Sequence, residues 1–276
     1  MVDGHELHTP DGRTVRFYDT GEQTGSTRTV FWHHGTPQSG RLLEPVVRAA
    51  AERGIRVVSC ARPGYEGSTV LSDRSVAAAS ADVIRVADEL GIGRFASVGA
   101  SGGGPHALGC AALAPDRVDA VVTFAGIAPF TRDFDWFDGM ADPRGPGAAL
   151  EGRKARAVHA ETAEFTPASF IAADWQALSG DWKSLGADAQ AAGARGIDGE
   201  VEDDVAFVTP WGFDLADLGC PVLLVQGGED RVVPAAHARW MLPQLRNGQL
   251  WFRPRDGHIS VLAAYPVALD WLPNPR

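Results

Sequence analysis

Gly99-Ala100-Ser101-Gly102-Gly103 is the stretch of this 276-residue chain best suited to chemistry. A strand-like run, Phe95–Val98, precedes it and a helix-like run, Pro105–Leu113, follows it. Gly-x-Ser-x-Gly between a strand and a helix makes a sharp turn that lifts the serine hydroxyl above the sheet edge. The serine must take a strained backbone conformation, so the residues two before and two after it must be small. Gly99 and Gly103 meet that need. The positive end of the following helix points at the same spot, which suits a developing oxyanion. The competing reading is a glycine-rich turn that only packs tightly. Nucleotide-binding readings fail, because no Gly-x-Gly-x-x-Gly follows a strand and no Gly-Lys-Ser/Thr occurs. A free serine hydroxyl is a weak nucleophile near neutral pH and needs an adjacent base. The chemistry this turn can support is therefore acyl transfer, with a histidine and a carboxylate still to be found.

The elements that must position Ser101 follow from the apolar pattern. Glu6–Thr9 and Thr14–Asp19 read as two strands flanking the hairpin signal Pro10-Asp11-Gly12-Arg13. Short apolar strands are expected at Val30–His34, Ile55–Cys60, Phe95–Val98, Val118–Ala125, Val222–Gln226 and Gln249–Phe252. Helices are expected at Leu42–Arg53, Ser75–Leu90, Pro105–Leu113, Ala235–Leu245 and Ile259–Leu272. Continuous apolar strands alternating with helices predict an α/β fold: a mostly parallel eight-stranded sheet covered on both faces. Function in such sheets gathers in the loops at the carboxyl ends of the strands.

Composition narrows the classes further. The 25 Lys and Arg against 35 Asp and Glu leave a net charge of −10, which argues against nucleic acid as a partner. The imbalance is concentrated: residues 129–214 hold 16 of the acids and only 7 of the bases. They also hold 11 of the 23 aromatics, among them Trp136, Trp175, Trp182 and Trp211. This segment reads as a separate unit, bounded by Pro129 and by the loop Asp214–Pro221. Three cysteines, Cys60, Cys110 and Cys220, lie far apart, so neither a disulfide framework nor a clustered zinc site is expected, and a reducing cytoplasm suits them. No signal-peptide pattern opens the chain and no apolar run approaches the ~18 residues of a membrane span. Asp133–Gly139 resembles a calcium loop only superficially, since its fifth position is Phe137 and no glutamate stands at the twelfth.

With the serine turn, three further motifs stand in order: His33-His34-Gly35-Thr36-Pro37 after an early strand, the loop Arg62 to Ser68, and an acid followed by a histidine near the C-terminus. On these residues the chain resembles the α/β-hydrolase family over almost its whole length. The resemblance implies an α/β-hydrolase core at 1–128 and 215–276, with 129–214 as a helical cap. It implies the order serine, acid, histidine. Of eight histidines, His5, His8, His33 and His34 precede the serine, His106 lies five residues beyond it in the helix, His159 is in the insert and His237 is on a helix. His258 remains as the base. Family spacing after the strand favours Asp230 as the acid, with Glu229 the close competitor and Asp256 an exposed turn residue. The oxyanion donors expected are the backbone N–H groups of Gly102 and Thr36, and the Thr36 hydroxyl could add a third. His34 is expected to brace its loop. A metal role for the His33–His34 pair is not expected, since adjacent strand residues point apart.

A serine nucleophile disfavours the epoxide-hydrolase and haloalkane-dehalogenase branches, which need a carboxylate. The leading expectation is a cofactor-free Ser-His-Asp hydrolase acting on a small ester or lactone. It would be a monomer or homodimer whose partner is a small-molecule substrate. Alternatives are a proline iminopeptidase-like enzyme, a carbon–carbon hydrolase or perhydrolase, and a ligand-binding member with an idle triad. The peptidase reading would use acids of the insert, Glu161, Glu164, Glu200, Glu202, Asp203 or Asp204, to hold an amine. Against it, the early loop reads His-Gly-Thr-Pro where those peptidases show His-Gly-Gly-Pro, and no tryptophan follows the serine. The aromatics of the insert are expected mainly to form its own small core.

Overall fold

The computed structural model describes residues 2–22 and 28–273. Eight strands form one sheet: β1 (Gly4–His8), β2 (Thr14–Asp19), β3 (Arg28–His33), β4 (Ile55–Cys60), β5 (Phe95–Ala100), β6 (Val118–Phe124), β7 (Val222–Gly227) and β8 (Gly248–Arg253). Their spatial order is β1-β2-β4-β3-β5-β6-β7-β8. The hairpin β1–β2 is antiparallel and joins β4 antiparallel, while every pair from β4 to β8 is parallel. β4 to β7 are buried along almost their whole length, as their apolar runs require, whereas the edge strands β1 and β8 alternate with exposed positions.

Period-two alternation divides the strand side chains between two cores. Phe31, Val58, Val121 and Leu224 face one layer of helices. Val30, Val57, Val122 and Leu223 face the other. The first layer contains α2 (Val76–Glu89) and α3 (Gly103–Leu113); the second contains α1 (Glu44–Ala51) and α10 (Tyr265–Trp271). Ser75 caps α2 by accepting the N–H of Ala78 at 3.1 Å, and Gly91 leaves the helix at φ +63°.

Two expected helices are shorter than their apolar patterns. The stretch 235–245 is α9 (Ala235–Met241) followed by a 3-10 turn, Leu242–Gln244. The stretch 259–272 opens with a 3-10 turn, Ser260–Ala264, before α10. Pro243 and Pro266 lie in the first turn of the following segment in each case, where a ring without an N–H is tolerated. β5 runs on to Ala100 and α3 starts at Gly103, because glycines that lower helix propensity are held in place by packing.

Between β6 and β7 come five helices: α4 (Arg144–Leu150), α5 (Arg153–Thr162), α6 (Ala172–Ser179), α7 (Lys183–Gly193) and α8 (Asp198–Val208). The aromatics of this region do not gather in a core of their own, as had been expected for most of them. Trp136, Phe207 and Trp211 join the core that contains α2 and α3, and Trp182 joins the opposite one. The reason is that α8 is buried on most of its residues and lies against the sheet's own helical layer. Phe130, Trp136 and Phe137 pack on one another where they meet the core of α2 and α3, and Phe165, Phe170 and Trp175 make a local cluster that is partly exposed. No helix among the described residues is long and apolar enough to cross a membrane.

Candidate active site

Ser101 stands between the last residue of β5 and the first turn of α3, at φ +52°. Such a conformation strains any residue with a Cβ. It is held because the backbone is packed on both sides: the Ser101 N–H donates to Phe124 O at 2.8 Å, and Ser101 O accepts from Gly104 N at 2.9 Å. A methyl group at Gly99 would overlap the carbonyl of Gly103, and one at Gly103 would overlap the carbonyl of His33. The small residues demanded two before and two after the serine are thus set by direct backbone contact. Among the described residues the Ser101 hydroxyl has no hydrogen-bond partner.

His258 follows β8, in the loop that leads into Ser260–Ala264. The carbonyls of Asp256 and Gly257 pack so closely on Gly227, the end of β7, that no side chain fits there. This places the histidine loop over the end of β7. Nδ1 of His258 lies 2.9 and 3.1 Å from the two carboxylate oxygens of Asp230. Asp230 is buried and fixed in turn by the N–H groups of Val232 and Val233, each 2.9 Å from Oδ1. Gln226 donates to Oδ2 at 3.3 Å. Glu229, the competing acid, is exposed, and Asp256 is tied to Arg253. Burial pulls the His258 pKa down, but the charge and hydrogen bond of Asp230, with the charge of Asp174, outweigh it and leave the pKa above its ordinary value. Nε2 of His258 is unpartnered among the described residues, so no hydrogen bond joins it to Ser101.

Three other histidines, His33, His34 and His237, have structural partners. His33 shares a 2.8 Å hydrogen bond with Ser97 Oγ between neighbouring strands. His34 bonds Gly35 O through Nδ1 at 2.8 Å and accepts the N–H of Arg62 at 3.2 Å, which braces the loop. His237 accepts from Ala128 N and bonds Trp136 O, and burial pushes it down to about 4.

The backbone N–H groups of Thr36 and Gly102 have no acceptor among the described residues, and the Thr36 side chain lies directly against Gly102. The hydroxyl of Thr36 is committed elsewhere. It donates to Asp203 at 2.6 Å and accepts from Arg62 at 3.0 Å, so it is no third oxyanion donor.

Sequence reasoning offered Asp203 only as one of several possible amine ligands. In the structure it is a fully buried hub on α8. Its carboxylate accepts from Thr36, from Arg62 at 2.6 Å, from the Tyr65 hydroxyl at 2.9 Å and from Arg74. Arg62 also donates to the carbonyls of His34 and Gly35, so the hub shapes the whole early loop. His106, which burial lowers to about 4 and so keeps neutral, lies 3.6 Å from the carboxylate. Burial alone would raise the Asp203 pKa; Arg62 and Arg74 hold it well below the ordinary carboxylate range. The other acids of α8 are also paired: Glu200 and Asp204 with Arg156, and Glu202 with Arg153 and the N–H of Asp73. The only signal that could have singled out Asp203 was its i,i+4 spacing to Phe207, whose ring lies against Gly102.

Residues 28–264 match the family model of the alpha/beta hydrolase fold. A protein of Caulobacter sp. (strain K31) whose name proposes a carbamate hydrolase, RutD, is 27% identical over 93% of this chain and 90% of its own length. The pimeloyl-[acyl-carrier protein] methyl ester esterase of Nitrosomonas europaea is 27% identical over 88% of this chain and 93% of its own. A thermophilic esterase from Thermogutta terrifontis, solved with malate bound, superposes with a TM-score of 0.74 over 98% of both chains at 19% identity.

Two substitutions probe this packing. Gly103→Ala forces a methyl group into the His33 carbonyl and should cost at least the ~1–3 kcal/mol typical of overpacking, read by urea unfolding. Asp203→Ala strands two buried guanidinium groups and should cost about 3–5 kcal/mol in the same assay.

Proposed function

The chain belongs to the α/β-hydrolase family, and from that premise we propose that it is a serine hydrolase that cleaves a small carboxylic ester or lactone through an acyl-enzyme. One observation carries the reading: the loops at the carboxyl ends of β3, β5, β7 and β8 bring to one sheet edge a strained serine, two N–H groups without acceptors, and a histidine paired with a buried acid.

In this mechanism the neutral imidazole of His258 takes the Ser101 proton as Oγ attacks the substrate carbonyl. The histidine loop leaves β8 but folds over the end of β7, and one strand, β6, separates β7 from β5, so the end of β5 and the strand end beneath the histidine loop lie about 10 Å apart. The proposal requires the imidazole of His258 and the Ser101 hydroxyl to meet across that gap, the serine turning about χ1 to make the hydrogen bond. The tetrahedral oxyanion accepts from the N–H groups of Thr36 and Gly102; one such donor is worth ~3 kcal/mol in the transition state. Asp230 fixes the tautomer of His258 and stabilises the imidazolium. His258 then protonates the leaving oxygen, and a water activated by the same base hydrolyses the acyl-enzyme. Acyl transfer of this kind needs no cofactor. Residues 129–214 act as the cap, and its Phe207 packs against Gly102 of the serine turn.

The amine-recognising reading has little to stand on. It needs a carboxylate in the insert free to meet a substrate cation; all five acids of α8 are paired with arginines, which leaves only the exposed Glu161 and Glu164 of the acids offered for that role.

Incubation with a fluorophosphonate probe and with 4-nitrophenyl acetate tests the proposal. Labelling at Ser101, and hydrolysis that Ser101→Ala abolishes, are expected; hydrolysis equal in the two proteins overturns it. A proline arylamide and a carbamate run alongside the ester sort the substrate class, with the ester preferred over the arylamide by orders of magnitude.

The pH profile tests the base separately. His258 must be neutral to act and its pKa is raised above 6.5. The acid limb of kcat/KM is therefore expected above pH 6.5, activity rising with pH through it. A flat profile across that region removes His258 from the mechanism.

A further inference from the structure

Asp174 lies in the first turn of α6 and is fully buried. Its carboxylate faces the loop that carries His258. Oδ1 accepts the N–H of Ile259 at 2.9 Å, the N–H of Ser260 at 2.7 Å and the hydroxyl of Ser260 at 2.8 Å. Oδ2 accepts the N–H of Ile171 at 3.1 Å, which starts α6. The Ser260 hydroxyl in turn accepts the N–H of Gly257 at 2.7 Å. The residues on both sides of His258 are therefore held by one carboxylate and its serine relay. The contact is also close: a side chain at Gly257 would overlap the Asp174 carboxylate.

The charge balance is as telling as the geometry. Among the described residues no basic side chain lies within ion-pair distance of Asp174, unlike the acids of α8. A buried carboxylate without a cation is costly and persists only when several donors satisfy it. Here four do. The charged groups acting on His258 are Asp230, from the loop after β7, and Asp174, from α6. Asp256, on the histidine loop itself, is tied to Arg253.

We propose that Asp174 is a positioning residue for the reaction: it fixes the loop on which His258 sits, and its negative charge, unmatched by any base among the described residues, favours the imidazolium formed as Ser101 loses its proton. The inference rests on His258 being the base. It makes the segment between β6 and β7 part of the catalytic apparatus and not merely a cover over it. Residue 174 then couples any movement of α6 to the aim of the imidazole.

Asp174→Asn removes the charge while leaving an oxygen able to keep the bonds to Ile259 and Ser260. With 4-nitrophenyl acetate, kcat should fall about 10- to 100-fold, the scale of loss for a misplaced catalytic group, with KM little changed. The acid limb of kcat/KM should move to lower pH, and the His258 Hε1 resonance should titrate lower by NMR. A folded variant with kcat within about twofold of the parent and an unmoved His258 titration overturns the proposal; so does a lowered Tm as the sole change. If Asp174→Asn does not fold, Ser260→Ala reads the loop alone: it cuts the Gly257 link and keeps the charge. It should lower kcat without moving the titration, and unchanged kcat overturns the positioning role. Wild-type protein without Ser101-dependent turnover would instead refute the hydrolase reading, and the NMR titration would still report on Asp174.

Discussion

The close backbone contact between the serine turn and the end of β3 is the constraint on which the rest depends. Gly99, Gly103 and the carbonyl of His33 meet with no room for a side chain. That contact forces Ser101 into the left-handed region and starts α3 directly beneath it. The same approach brings the early loop against the turn, so that the Thr36 side chain lies on Gly102, and among the described residues neither backbone N–H has an acceptor. Local strain of about 1–3 kcal/mol is sustained because the surrounding sheet leaves the backbone no alternative.

Electrostatics organises the neighbouring loops. The acid-rich composition of the insert suggested, in the peptidase reading, carboxylates that hold an amine. In the structure Glu200, Glu202, Asp203 and Asp204 of α8 are instead ion-pair partners of arginines within the fold. Asp203 is the extreme case, joining the insert to the early loop through Arg62 and Thr36. Asp174 joins the insert to the histidine loop, without a cation. Two buried acids of one segment thus grip two different loops of the core. A buried charge is tolerated only with good geometry and full hydrogen bonding, so each grip also imposes a unique arrangement on its loop.

The fold's sidedness explains why these loops meet at all. Parallel strands all end at one edge, and the register His33 with Gly99 and Gly227 with Arg253 keeps those ends level. Residues far apart in the chain, such as Asp230 and His258, then approach within hydrogen-bond distance.

The sequence by itself determined the eight strands, the alternation with helices and the serine turn. These are carried by local signals: apolar period, glycine spacing and helix stops. Tertiary structure alone decided between Glu229 and Asp230 as the partner of His258, because neighbouring residues differ only in which way the turn after β7 points them. It alone committed the Thr36 hydroxyl to Asp203, and it alone showed Asp174 behind His258. Such contacts join residues 28 to 167 positions apart, and no periodicity within a short stretch of chain encodes them.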